Sequence, residues 1–275
     1  MASIEERIPA IQWVERENRR FITILRNLDE AGWSCPSYCP GWSAADVVAH
    51  MTLGARFYAH VIPAGREERF EMPFGAKDLK SFWAYRDRVG AELASLPGGE
   101  RVDRFEEAVW NLQVVFEAIR PEDMEKEAWH WMCPSPVHSY PGQRLYELIL
   151  HDWDIRNDPE GELHPDALGA AVDILDFRLP FFLNHAPDPE LKGSFRFETV
   201  GPARSWAMRV EAGSARPVSP EEGPFDAEVF ASASDIVLLT TGRADLGAKK
   251  AAGRLRIEGD SRLAGALLGI LCRPF

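Results

Sequence analysis

Glu147, His151 and Asp154 follow one another at spacings of four and three in RLYELILHDWDIRN (144–157), a stretch with a helical apolar pattern. At about 100° per residue the three side chains fall within a sector of roughly 60°. A carboxylate and an imidazole one turn apart can pair with each other or ligate one divalent metal ion. Leu145, Ile149 and Trp153 occupy one side of this helix, and Leu148, Leu150 and Ile155 flank the polar sector. A helix apolar nearly all round is normally buried. Buried carboxylates and imidazoles need partners, because desolvating them is costly, and a metal ion is such a partner. The third ligand has to come from another element. His50, among Val47, Met51 and Leu53, is the best candidate. Two histidines and a glutamate with one open position form the pattern of a catalytic zinc site. Metal-bound water or thiol there would be deprotonated near neutral pH. Asp154 suits an outer acceptor for a ligand imidazole N–H. Spacing alone is a weak signal, however. Glu-x-x-x-His pairs are common on solvated helices, and a lone histidine is ordinarily a satisfied core or surface residue.

The elements that must position these residues are helices first and strands later. Ile8, Ile11, Val14, Phe21, Leu25 and Leu28 form the stripe of one long amphipathic helix that stops near Gly32. The segment SCPSYCPG (34–41) reads as a loop. Ser43, with Asp46 three residues on, is a capping-box-like start for the helix that carries His50. Two further helices follow, marked by Leu79 to Leu96 and by Val102 to Ile119. The Glu147/His151 helix spans roughly 142–157, and another runs from Pro165 to Phe182. After His185 the pattern alternates. Phe195, Phe197 and Thr199, then Trp206, Met208 and Val210, read as strands, and Pro217 to Pro224 as a loop. AEVFASASDIVLLTTGR reads as a strand, a Ser234 cap and a short helix, and GRLRIEGDSRLAGALLGIL repeats that order. The expected fold is an all-α four-helix bundle over residues 1–187, then a small α+β domain over 188–275.

Composition narrows the partners. The chain has 275 residues and a formal net charge of -12, which argues against nucleic acid or an anionic membrane as the main partner. No run of about 18 apolar residues predicts a membrane span, and the charged N-terminus lacks an apolar signal core. The expected location is the cytoplasm, where Cys35, Cys39, Cys133 and Cys272 would stay thiols.

Two segments carry a family resemblance. CPGWSAADVVAHM (39–51) is similar to the second-helix signature of the DinB-like superfamily, in the branch typified by mycothiol-dependent maleylpyruvate isomerase. In that branch a Pro-Gly-Trp-Ser/Thr turn opens the helix bearing the first metal histidine, which matches Pro40 to Ser43 and His50. RLYELILHDWDIRN resembles its Glu-x-x-x-His-x-x-Asp helix, about a hundred residues on. DIVLLTTGR (235–243) and RIEGDSRLAGALL (256–268) resemble a small sterol-carrier-like domain.

The resemblance implies a divalent metal, usually Zn2+, held by His50, Glu147 and His151, with a low-molecular-weight thiol such as mycothiol as cosubstrate. The metal would favour the thiolate, which is the nucleophile. In isomerases of this group the thiolate adds to an activated cis double bond, and rotation and elimination release the trans isomer. In transferases it displaces a leaving group or opens an electrophile. Two other readings stay open: a non-catalytic metal- or ligand-binding or stress protein of this fold, and a metal-dependent hydrolase. The expected assembly is a monomer or homodimer.

An acidic substrate needs a cationic contact. Arg243 is the substrate-binding candidate, with Arg254 and Arg256 beside it; for each, a surface arginine is the more ordinary reading. Cys35 and Cys39, with Cys133 and His138, fit no strong zinc pattern. Cys39 just before a helix could also be a redox or nucleophilic thiol. Trp129, His130, Trp131 and Trp153 read as packing or as a pocket wall. No residue is assigned as a direct acid, base or nucleophile.

Overall fold

The computed structural model describes residues 8–185 and 187–272 and divides into two compact units, Met1–Asp158 and Pro159–Phe275. The first is helical. The expected single opening helix is two: α1 (Ala10–Arg26) and a short α2 (Glu30–Ser34), which Asp29 caps by accepting from the Gly32 amide. The buried stripe of α1 is nonetheless the predicted one, with Ile11, Val14, Phe21 and Leu25 at 0–1% exposure. Ser43 and Asp46 close a reciprocal capping box, and α3 (Ala44–Arg66) runs from it. Helices α4 (Leu79–Ala94), α5 (Gly98–Glu117) and α6 (Tyr140–Arg156) complete the unit. Helix α3 packs against α4, α5 and α6, and α1 against α5 and α6. This makes α1, α3, α5 and α6 the four-helix bundle, with α3 buried on most sides.

Between α5 and α6, two-residue strands β1 (Glu127–Ala128) and β2 (Ser135–Pro136) pair antiparallel. Strand β1 lies against α3 at Gly65. A Cβ on that glycine would sit 2.7 Å from the Ala128 Cα and from the Glu127 carbonyl oxygen.

The second unit starts earlier than residue 188. Helices α7 (Pro165–Val172) and α8 (Leu175–His185), expected as one helix of the bundle, group with the sheet: α8 contacts two of its strands. An apolar helix face reports that it is buried, not what buries it. The sheet comprises β3 (Gly193–Val200), β4 (Arg204–Glu211), β5 (Ser214–Val218), β6 (Ala227–Ser232) and β7 (Leu255–Gly259), in the order β5-β4-β3-β6-β7. Neighbours are antiparallel except β3 and β6, which run parallel. Pro217, expected in a loop, lies in β5. That strand is at the sheet edge, where a missing N–H is tolerated.

Helices α9 (Ala233–Leu239), α10 (Leu246–Ala251) and α11 (Ser261–Leu271) complete the unit. The cap of α9 is Ser232, which accepts from the Asp235 amide; the expected cap, Ser234, is buried and accepts from the Leu163 amide at 3.1 Å. All four cysteines are free thiols. No described helix is long and apolar enough to cross a membrane.

Candidate metal centre

The site is assembled where the loop before α3 meets the C-terminal half of α6. Gly41 takes a φ of +78°, a region that suits glycine, and the turn closes as the Trp42 amide donates to the Cys39 carbonyl at 3.0 Å. The Ser37 amide donates to the Trp42 carbonyl at 2.8 Å. The loop is then fastened to α6. The Tyr38 amide donates to the Asp154 carbonyl at 2.8 Å, and Asn157 Nδ2 donates to the Pro36 carbonyl at 3.0 Å. Tyr38 also meets Trp153 edge-on, with ring centroids 4.5 Å apart.

His50 and His151 face each other across α3 and α6. Their ring centroids are 5.1 Å apart at 68°, and the Trp42 ring covers His50 at 5.2 Å. On the Nδ1 edge of His151, Asp154 Oδ2 stands at 2.8 Å. Asp154 is fully buried and His151 is 8% exposed. The second nitrogen of His151, on the opposite edge of the ring, points away from Asp154. Arg86 Nη2 of α4 approaches His50 Nδ1 at 3.4 Å. Because arginine offers only donors, a lone pair of His50 faces a cation there.

Glu147 reaches the same end of α3. A Cβ on Gly54, one turn beyond His50, would meet Glu147 Oε2 at 3.6 Å and Arg144 Nη1 at 3.4 Å. Glu147 Oε2 is buried and accepts no hydrogen bond, with Arg144 Nη1 3.7 Å away. Arg144 is wholly buried and donates through Nη1 to the Met51 carbonyl at 3.1 Å. Burial lowers the pKa of both Arg86 and Arg144, and Glu147 opposes that shift in each. Neither arginine was anticipated as part of the site. Arg144 had a legible signal, a cation in a helix apolar nearly all round; Arg86 had none. Cys39 also joins the cluster. Its Sγ lies 3.2 Å from Asp154 Oδ2, and ligand atoms of Cys39, His151 and Asp154 all lie within 4.8 Å of one another.

The other sequence candidates have local partners. Arg243, in the second unit, donates through Nη1 to the Thr241 carbonyl at 3.2 Å. Arg254 pairs with the buried Asp235 at 2.9 Å, and Arg256 lies over the Phe230 ring and pairs with Glu258. His138 contacts the Met124 carbonyl through Nδ1 at 2.9 Å. Of the aromatic cluster, Trp129 and Trp153 are buried and Trp131 is exposed.

The bundle matches the family model for the mycothiol maleylpyruvate isomerase N-terminal domain over residues 14–156. The chain belongs to that family. Residues 189–271 match the SCP-2 sterol transfer family. Among solved structures, the chain is similar to a mycothiol-dependent maleylpyruvate isomerase. A mutant of that enzyme aligns at 13% identity and a TM-score of 0.64, over 94% of this chain and 96% of the other. A second structure described by the same enzyme name aligns at 14% identity and a TM-score of 0.62, over 89% and 93% of the two chains. At such identity the likeness speaks for the fold. No curated protein sequence matches the chain.

Proposed function

We propose that this chain is a metal-dependent enzyme that takes a low-molecular-weight thiol of the mycothiol type as cosubstrate. It acts on a small electrophile as a thiol S-transferase or a cis–trans isomerase. His50, Glu147 and His151 would hold the ion, with zinc the first expectation. The observation that carries this reading is the buried Glu147 Oε2, which accepts no hydrogen bond and lies one helical turn along α3 from His50. Arg144 Nη1 faces that oxygen at 3.7 Å, beyond hydrogen-bond reach, so the oxygen keeps lone pairs that a bound ion would complete. Two imidazoles and a carboxylate are also the donor types of a zinc centre with an open position.

Bound there, a divalent ion supplies a ligating thiol with a lowered pKa. The chain's own residues do the rest. Asp154 accepts the Nδ1 proton of His151, which fixes the tautomer and turns the Nε2 lone pair outward. Trp42 limits how far the His50 ring can turn. Arg86 and Arg144 place two guanidinium groups beside Glu147. Arg243 remains the candidate contact for an acidic substrate group.

The test combines metal analysis with thiol binding. Purified under metal-replete conditions, the full chain should carry about one zinc per molecule, lost in His151→Ala and held more weakly in His50→Ala. Mycothiol should raise the melting temperature of the zinc form. Glutathione, bacillithiol and coenzyme A serve as comparisons. A chain that holds no metal would end the enzyme reading. A zinc chain indifferent to all four thiols would favour hydrolysis or a non-catalytic binding role.

A further inference from the structure

We propose a second metal position in the bundle, formed by Cys39 Sγ, His151 Nδ1 and the Asp154 carboxylate. It is suited to a thiophilic divalent ion and competes with the His50/Glu147/His151 position for His151. The inference needs only the metal chemistry of these three side chains, not the thiol-enzyme reading.

Three donors of different elements converge on one point. Asp154 Oδ2 lies 2.8 Å from His151 Nδ1 and 3.2 Å from Cys39 Sγ. Asp154 and His151 are buried, and Cys39, on the loop, is half-buried. A tetrahedral zinc, about 2.3 Å from sulfur and about 2.0 Å from nitrogen and oxygen, holds its ligand atoms about 3.3–3.5 Å apart. The two separations fall short of that by a few tenths of an ångström. Holding the ion therefore takes a small turn of the Asp154 carboxylate away from His151 as well as a small outward movement of Cys39. The loop itself stays anchored through the Tyr38 amide on the Asp154 carbonyl.

The two positions cannot share a neutral His151 in the same way. In the first, Nδ1 keeps its proton for Asp154 and Nε2 ligates. In the second, Nδ1 ligates and the proton moves to Nε2. Each ion therefore selects one tautomer and excludes the other, short of an imidazolate bridge. The positions also differ in softness. Thiolate favours zinc, cobalt or cadmium over magnesium or manganese. On ligation the Cys39 thiol releases its proton to solvent, and one S–metal bond replaces the S–H bond.

Titration of the metal-free full-length protein with Co2+ tests the proposal. Thiolate ligation gives a near-ultraviolet charge-transfer band that oxygen and nitrogen donors do not. The band is expected in the wild type and in Glu147→Gln, and it should be lost in Cys39→Ser. Wild-type protein without the band, or Cys39→Ser with the band unchanged, would overturn the second position. The visible cobalt bands arise from either position, and their dependence on His50 and Glu147 tells which one is filled. If they vanish in His50→Ala while no charge-transfer band was ever present, the first position stands and the second falls. If they ignore both His50→Ala and Glu147→Gln but the charge-transfer band depends on Cys39, the reverse holds. Circular dichroism of each variant checks that loss of a band is not loss of fold. Should Cys39→Ser fail that check, zinc protection of Cys39 from alkylation in the wild type gives the same decision: protection supports the position, and an unchanged rate refutes it.

Discussion

Tyr38 donates its amide proton to the carbonyl of Asp154 at 2.8 Å, and that same Asp154 carries the carboxylate which meets both His151 and Cys39. One residue thus sets the loop and the imidazole together. Its main chain holds the turn before α3 on the end of α6, while its side chain holds the ring of His151.

These two roles separate on mutation. Asp154→Asn keeps the main-chain bond but replaces a carboxylate by a weaker, neutral acceptor. Zinc affinity should fall by roughly 10–100-fold, the usual cost of losing a partner of a ligand histidine. The helical circular dichroism should hold. Competition against a chromophoric chelator measures the affinity, and an unchanged value would remove Asp154 from the centre.

Arg144 and Glu147 should behave as a pair. Arg144 is wholly buried, so Arg144→Ala opens a cavity and strands the carboxylate, costing roughly 3–5 kcal/mol. The double variant Arg144→Met/Glu147→Gln should recover most of that loss, because it removes both charges at similar volume. Urea unfolding of the metal-free chains gives both numbers. A double variant as unstable as Arg144→Ala would show that the arginine matters for packing alone.

Gly65 is where α3 admits β1. A methyl group there meets main-chain atoms of Glu127 and Ala128 at 2.7 Å, which cannot swing aside. Gly65→Ala should therefore cost about 1–3 kcal/mol, despite alanine's better helix propensity. Gly99→Ala is the control. It meets nothing within 4 Å in the first turn of α5 and should be neutral or slightly stabilising. Equal unfolding midpoints for the two variants would refute the close contact.

The sheet carries a pH-sensitive tie. The Ser194 amide and hydroxyl donate to Asp226 at 2.7 and 2.8 Å, and they hold its carboxyl below the ordinary range. A depressed folded value contributes stability above the unfolded value of about 4, and that stability is lost as pH falls through the folded one. Asp226→Asn should melt lower than wild type at pH 7, and the gap should narrow as pH drops below about 4. A gap constant across that range would mean the carboxylate charge contributes nothing.

Much of this was legible from residue order. Ser43 and Asp46 announce the start of α3, because a capping box is a local device that needs no tertiary partner. Glu147 and His151 stand out because their helix leaves them no solvated face. Local patterning does not carry the pairings made at long range. Cys39 and Asp154 lie 115 residues apart and meet only because the Gly41 turn bends the loop onto α6. Arg86 reaches His50 from a helix whose own stripe gave no reason to single it out. Helices α7 and α8 were expected as one helix of the bundle, because a helical pattern marks an element without naming the surface it packs on, and α8 lies on the sheet.

Strand β3 sits at the centre of its sheet with β4 on one side and β6 on the other, yet β6 comes after β4 and β5 in the chain. During synthesis the β3–β4–β5 meander can form as soon as it emerges. The far edge of β3, with Phe195 and Phe197, then stays unpaired until residues 227–232 arrive to complete the parallel pair. A polypeptide stalled or cleaved before Ala227 would bare that edge, a template for joining other chains. Nascent-chain quality in this protein thus turns on how soon β6 arrives.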